Sequence, residues 1–346
     1  MSKPAIDDPF RIGLIALLNS PQVGHRRAIE LVEYFGTPQA VFSAYPDEVA
    51  RVIKVPLKVA RQIREQGDVK REEAQKILNR CYSQGITVRT YWDEEYFTRL
   101  RYIPDPPALL YSIGVWSPLY DYGIAIVGTR APSEYGSKTA FKLATDLASR
   151  GITVVSGMAI GIDGIAHQGA LSVGGRTIAV LGSGVDVVYP VYHQKLYNQI
   201  CQQGIVVSEH PPGTAPESHH FPQRNRLISG ISIGIVIVEA GVKSGALITA
   251  RHSIDQGREL FAVPGPVASH RSMGVNRLIK DGTARLVESG EDIIDHLRSP
   301  LAPVLNVAAS LALPQMSEEE AKIYHLLERE DLLMDELVRQ SGLSAS

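Results

Sequence analysis

The residues best equipped for chemistry lie in Phe221-Pro222-Gln223-Arg224-Asn225-Arg226, directly after His219 and His220. Arg224 and Arg226 flank Asn225 and offer forked donors of the kind that hold phosphate oxygens. Phe221 supplies an aromatic face on which a nucleobase can stack. A core phenylalanine is an equally good reading of that residue. The arginines have their own alternative, ion pairs with Glu239 or Asp163, but their place before an apolar strand and beside glycine-rich turns favours a ligand. From residue 221 to 285 there are nine Lys/Arg against four Asp/Glu, in a chain of formal net charge −2. The protein as a whole has no basic field, so nucleic-acid binding has to come from this local patch.

Four glycine-rich turns surround it. Gly128-Thr129-Arg130-Ala131-Pro132-Ser133-Glu134-Tyr135-Gly136 follows the apolar run Ile124–Val127, and Ser156-Gly157-Met158-Ala159-Ile160-Gly161-Ile162-Asp163 follows Val154-Val155. Gly182-Ser183-Gly184-Val185-Asp186 follows Leu181, and Glu239-Ala240-Gly241-Val242-Lys243-Ser244-Gly245 follows Val238. Glycine lets a backbone approach a ligand closely, a following helix start presents unpaired N–H groups, and Arg130 adds a cation. One such turn is ordinary geometry. Four at one sheet edge point to a phosphate-bearing ligand.

Other reactive residues read as architectural. Asp163 and His167 are four apart and can share a helix face. With no nucleophile or metal spacing beside them, a structural hydrogen bond holding the Ser156–Asp163 loop is favoured over an acid–base pair. Asp186-Val187-Val188-Tyr189-Pro190 reads as a structural turn, and Met158 and Met273 as packing residues. The two cysteines, Cys81 and Cys201, give neither a disulfide framework nor zinc spacing, which fits a reducing compartment. No metal and no cofactor is expected.

These turns need a scaffold. A chain of 346 residues predicts two or three domains, at about 100–200 residues each. The runs Ile124–Val127, Thr153–Val155, Thr177–Leu181, Ile205–Val207, Ile233–Val238 and Leu260–Val263 alternate with helical patterns such as Ser137–Arg150 and Ala246–Gln256. Unbroken apolar strands between helices mean a mostly parallel sheet covered on both faces, an α/β, Rossmann-like domain over residues 119–298. Residues 1–79 read as a small helical domain with two turn-then-helix punctuations, Ser20-Pro21-Gln22-Val23-Gly24-His25-Arg26 and Ile53-Lys54-Val55-Pro56-Leu57. They resemble the SAM-like or helix-hairpin-helix modules that touch DNA backbone, and a plain packing domain is as good a reading. Residues 80–118 form a connector packed on the next domain, with Gly85–Tyr91 strand-like and Pro104-Asp105-Pro106-Pro107 a rigid turn. Residues 299–316 read as a linker carrying Pro300, Pro303 and Pro314. Residues 317–346 read as the start of a winged-helix module, opened by the capping box Ser317-Glu318-Glu319-Glu320 and continued by Glu319–Arg329 and Met334–Ser341. Met1–Phe10 has no signal-peptide pattern and Ile12–Leu18 is too short to span a bilayer, so a cytoplasmic protein without membrane association is expected.

Taken together, Gly128-Thr129-Arg130, Ser156-Gly157-x-Ala159-x-Gly161-Ile162-Asp163, His167-x-x-Ala170-Leu171, Gly182-Ser183-Gly184-x-Asp186-x-x-Tyr189-Pro190 and Ser208-Glu209-x-Pro211-Pro212-Gly213 resemble the DNA-processing protein A family, also called DprA or Smf. So do Phe221-Pro222-x-Arg224-Asn225-Arg226, Glu239-Ala240, Ser244-Gly245-x-Leu247-Ile248-Thr249-Ala250 and Gly257-Arg258-Glu259-x-Phe261-Ala262-x-Pro264-Gly265. The resemblance covers about residues 86–297. It implies single-stranded-DNA binding during natural transformation, loading of the RecA recombinase, homodimerisation through the Rossmann-like domain, and no catalytic activity. It also implies a DNA site lined by Gly128, Thr129, Arg130, Ser156, Gly157, Ser183, Gly184, Phe221, Arg224, Asn225, Arg226, Lys243, Ser244 and Gly245. Tyr96-Phe97 and Gly282-Thr283 depart slightly from the family's Tyr-Pro and Gly-Ala. Residues 317–346 carry eight acids against three bases, a poor composition for reading duplex DNA.

Two enzyme readings compete. A nucleoside-monophosphate hydrolase of the lysine-decarboxylase-like class needs Pro-Gly-Gly-x-Gly-Thr-x-x-Glu, where this chain has Glu239-Ala240-Gly241-Val242-Lys243-Ser244-Gly245. An NAD-binding oxidoreductase needs Gly-x-Gly-x-x-Gly after the first strand, where Arg130 stands in place of the second glycine.

Overall fold

The computed structural model describes residues 7–311, 317–327 and 333–343. Six short helices come first: α1 (Asp8–Leu18), α2 (His25–Phe35), α3 (Pro38–Ser43), α4 (Pro46–Ile53), α5 (Leu57–Glu65) and α6 (Gly67–Ser83). Proline in the first turn starts α1, α3 and α4, where its missing N–H is not needed. Their apolar faces, with Leu14, Leu31, Ile63 and Leu78 wholly buried, join Met158, Ala179, Leu196 and Val206 in one core. The helical segment is therefore packed directly on one face of the sheet.

The sheet has nine strands among the described residues: β1 (Thr87–Thr90), β2 (Leu109–Gly114), β3 (Gly123–Val127), β4 (Thr153–Ser156), β5 (Thr177–Val180), β6 (Ile205–Ser208), β7 (Ser232–Ile237), β8 (Glu259–Ala262) and β9 (Arg285–Leu286). Their order is β1-β2-β6-β5-β4-β3-β7-β8-β9. From β6 to β9 all pairings are parallel, while β1 and β2 add antiparallel at one edge. The fold is α/β and Rossmann-like, and each of the six apolar runs forms a strand within a residue of its expected bounds. The connector is not separate from the sheet, since β1 and β2 extend it.

The intervening helices are α7 (Glu134–Ser149), α8 (Ile162–Ser172), α9 (Gln194–Gln203), α10 (His220–Ile231), α11 (Ala246–Asp255), α12 (Met273–Lys280), α13 (Gly290–His296) and α14 (Arg298–Leu311). Residues of α10, α11 and α12 bury Leu227, Ile231, Ala250 and Val275 against Ala125, Val155, Val180 and Ile235 on the opposite sheet face. The chain runs outward from β3 through β4 and β5 to β6, then returns to place β7 on the other side of β3. That reversal opens a crevice at the carboxyl ends of β3 and β7, where doubly wound sheets bind ligands.

The residues read as a linker are helical up to Leu311. Pro300 falls in the first turn of α14, whose N–H groups have no partner in any case, and Pro303 lies inside the helix; Pro314 lies outside the described residues. Residues 305–346 form a second compact unit. In it α15 (Glu318–Leu327) and α16 (Met334–Ser341) form, and the capping box is made: Ser317 N–H donates to Glu320 Oε2 at 2.8 Å and Glu320 N–H to Ser317 Oγ at 3.2 Å. Residues 328–332 and 344–346 of the expected module lie outside the described residues.

Candidate nucleic-acid interface

The turn after β3 begins at Gly128, where a Cβ would stand 2.6 Å from the Ile162 side chain and 3.0 Å from the Glu239 carbonyl oxygen. No side chain fits, so the backbones of three strand ends come together. Thr129 N–H donates to Glu239 O at 2.7 Å, and Ile162 N–H donates to Thr129 O at 3.2 Å. Gly161, at φ +85°, passes so close to Thr129 that a Cβ would lie 2.5 Å from its carbonyl oxygen.

Glu239 holds this arrangement. Its buried carboxylate accepts Ser133 N–H at 2.8 Å and Ser133 Oγ–H at 2.6 Å, and Ser133 Oγ in turn accepts Gly136 N–H at 3.0 Å, capping α7. A carboxylate at a helix start is favourable. It also means that this helix start, read from the sequence as an open anion site, is already engaged by the protein's own anion. The partner of Glu239 is Ser133, not Arg224 or Arg226.

Above the turns lies a cleft of about 810 Å³. Gly128, Thr129 and Arg130, Lys243, Ser244 and Gly245, and Phe221, Arg224 and Asn225 of α10 line it. Arg130 and Lys243 are exposed and make no ion pair among the described residues. Arg271, also exposed, reaches in from the loop after β8 and donates from Nε to Ala131 O at 3.0 Å. Phe221 is half-buried. The Tyr189 ring lies 5.6 Å away, the Arg130 guanidinium 5.7 Å and the Arg224 guanidinium 6.0 Å. Neither a fully buried core ring nor a free one, it stands between cations, the surroundings of a stacking platform.

Among the described residues Asp163 is the one carboxylate lining this cleft, and it is committed. Gly157 and Ala159 N–H groups bond to it and Arg224 faces it. Burial raises its pKa, with Arg224 pulling the other way. Arg224 is itself buried, and its Nη1 donates to Gly157 O at 2.7 Å and to Val180 O. Burial lowers its pKa to about 10 against the pull of Asp163, so it stays cationic near neutral pH. It is a strut across the ends of β4 and β5 whose charge is felt in the cleft.

Five of the expected residues stand elsewhere. Ser156 is fully buried and donates to Ile126 O at 2.7 Å. Gly157 lies beneath Arg224. Ser183 is buried and donates to Val187 O at 2.9 Å, and Gly184 donates to Thr214 O at 2.9 Å. Arg226 turns away to Glu209 and Asp105. Ser and Gly after a strand look alike in sequence whether they cradle a ligand or brace the neighbouring turn.

His167 does not meet Asp163. Its Nδ1 is 2.7 Å from Thr177 Oγ1, and burial lowers its pKa to about 3. The loop is held instead by Asp163, by Arg224 on Gly157 O and by His193, whose Nδ1 lies 3.0 Å from Met158 O. Asp186 is structural, bridging Arg80 at 2.7 Å and Gly213 N–H at 2.7 Å. Met158 is buried as expected, whereas Met273 is exposed. Tyr189, read from the sequence as part of a structural turn, lines the cleft as well, as do His270 and Arg271; the strand-end rule extended to the loop after β8 finds the last two. Among the described residues, Glu217, His219 and His220 bring donor atoms within 4.8 Å of one another, a grouping that short-range spacing rules overlook.

Residues 87–298 match the family model described as DNA recombination-mediator protein A. Protein Smf of Escherichia coli (strain K12) is 43% identical over 208 residues, covering 60% of this chain and 55% of that protein. DNA processing protein DprA of Bacillus subtilis (strain 168) is 40% identical over 224 residues, covering 64% of this chain and 75% of that one. The match thus spans little more than half of the Escherichia coli relative. Two solved structures are similar in fold. One is DNA processing protein A from Streptococcus pneumoniae, with TM-score 0.73 at 33% identity over 82% of this chain and 97% of that one. The other concerns the single-stranded DNA binding mode of DNA processing protein A from Helicobacter pylori, with TM-score 0.55 at 31% identity over 62% of this chain and 96% of that one.

Proposed function

Since this chain belongs to the DNA recombination-mediator protein A family, also named DprA or Smf, we propose that it binds single-stranded DNA in the cleft at the sheet's switch point. One observation carries the reading. Exposed Arg130, Lys243 and Arg271 converge on a half-buried Phe221, and Asp163, the cleft's carboxylate, is already matched by Arg224. Phosphates meet the cations and a base meets the ring, which is how sequence-tolerant single-strand sites work. The solved Helicobacter pylori relative is described by its single-stranded DNA binding mode.

The finer reading follows the family. The protein protects incoming DNA and passes it to the RecA recombinase in the cytoplasm, acts as a homodimer, and does no catalysis. Two facts support the last point. Asp163 accepts the Gly157 and Ala159 N–H groups and faces Arg224, and His167 is buried against Thr177 away from the cleft. Among the described residues no helix is long and apolar enough to cross a membrane.

The test uses Arg130→Ala combined with Lys243→Ala, both exposed and outside the structural network. Single-stranded-DNA affinity should fall, and the slope of log K against log salt should become shallower by about 1.4 for two lost phosphate contacts. Unchanged affinity and slope would overturn the site. Hydrolysis of a nucleoside monophosphate by the wild-type protein would overturn the non-catalytic reading.

A further inference from the structure

A second cleft, of about 720 Å³, lies between the start of α2 (Gly24 to Arg27) and sheet-side residues that include His210, Gln223 and Arg226. It shares Pro222 and Ile248 with the first, so the two abut along a short apolar ridge. A third groove of about 440 Å³ shares Arg26 and Arg27 with the second and adds Ile53 and Lys54. The two turn motifs of the helical segment, far apart in sequence, thus line one groove, and that groove adjoins the first cleft through the second.

The charges along this line are available. Arg26 and Lys54 are exposed and Arg27 is half-buried. Lys54 makes no ion pair among the described residues. Arg26 pairs with Glu30 at 3.1 Å, an exposed i,i+4 contact of little strength that a phosphate can displace. Arg27 Nη1 donates to Gln22 O at 2.8 Å, leaving the rest of its fork open. The two acids of the second cleft, Glu209 and Asp105, are both bound to Arg226. A small ligand needs an enclosed apolar pocket, which a chain of open grooves is not. A flexible polyanion fits.

We infer that single-stranded DNA continues from the first cleft over Pro222 and Ile248 onto the helical segment, where Arg26, Arg27 and Lys54 hold its phosphates. The inference rests on the reading of the first cleft as a single-strand site. It makes the helical segment part of the DNA footprint.

Oligothymidylates of about 5 and about 16 nucleotides, within the span of single-strand site sizes, separate the two clefts. Their binding is compared for the wild type, Arg26→Gln with Arg27→Gln, Lys54→Glu, and Arg130→Ala with Lys243→Ala. The replaced side chains of the helical segment lie outside its core, and a thermal melt checks each fold. The helical-segment variants should weaken the long oligomer about tenfold and leave the short one unchanged, and the Arg26/Arg27 variant should flatten the long oligomer's salt slope by about 1.4. Equal loss for both lengths, or none for the long one, overturns the inference. If Arg130→Ala with Lys243→Ala abolishes short-oligomer binding while the helical-segment variants bind the long one normally, the first cleft stands and its extension falls. If the wild type binds neither length, both fall.

Discussion

Arg226 and Glu209 meet fork to fork, with Nη1 2.8 Å from Oε2 and Nη2 2.5 Å from Oε1. Asp105 takes Nε at 3.2 Å, and His25 of α2 brings its Nε2 to 3.5 Å from the same Glu209 carboxylate. Burial would raise the Glu209 pKa, but His25 and Arg226 outweigh it and the carboxylate stays below its usual range. A residue placed in the sequence's densest phosphate-binding motif is thus tied, through Glu209, to the helical segment.

Arg226→Ala should therefore act on stability before it acts on DNA. It leaves the Glu209 carboxylate, 10% exposed, with too little compensation, at a cost of about 3 kcal/mol. Urea denaturation should show that loss, and adding Glu209→Gln should recover part of it. A single Arg226→Ala that melts like the wild type but fails to bind DNA would return the residue to the binding site.

Glu239→Ala should loosen the cleft without removing any cation. It strands Ser133 N–H and Oγ–H, costing about 2 kcal/mol, and frees the start of α7. Weakened binding together with faster amide exchange over residues 129–136 is the expected pair of results. Glu239→Gln keeps an acceptor and should lie between wild type and Glu239→Ala.

Phe221→Leu should cost single-strand affinity about 1 kcal/mol or more through lost base stacking, whereas Phe221→Trp should keep it. Fluorescence anisotropy with a labelled oligothymidylate distinguishes them. Equal affinity for the two variants would make the ring a packing residue.

Stability should fall with acidification through a histidine. His167 has its pKa lowered to about 3 by burial, while the unfolded chain titrates near 6.5. Between those values the unfolded state binds a proton that the folded state refuses, so stability drops as pH falls below 6.5, by up to about 1.4 kcal/mol per pH unit from this group. His210, lowered to about 4 chiefly by burial, acts in the same direction. Urea midpoints at pH 7.5 and 5 should differ, and less so for His167→Gln.

The scaffold was legible because buried parallel strands are written as local apolar runs. Each of the six runs became a strand, and the four glycine turns after them were found at one edge. The strand-like stretch Gly85–Tyr91 holds β1, but β2 is hidden in the connector because Pro104 to Pro107 obscures its pairing, and the two-residue β9 is too short to leave a pattern. Within the candidate site, Arg130 and Lys243 stand in the cleft where their turns put them and Phe221 stands there on α10, while Arg271, counted only as part of the basic patch, lies outside a recognisable motif.

By itself the sequence determined the order of strands and helices, the family, and the sheet edge at which small residues and cations collect. All of these depend on neighbours in the chain. Only the tertiary structure decided which polar side chains remain free for a ligand. Arg224 is spent on Gly157 and Val180, Arg226 on Glu209, and Ser156 and Ser183 on backbone carbonyls, all through contacts between distant segments. A buried donor takes whatever acceptor the fold brings to it, and no local spacing names that acceptor in advance.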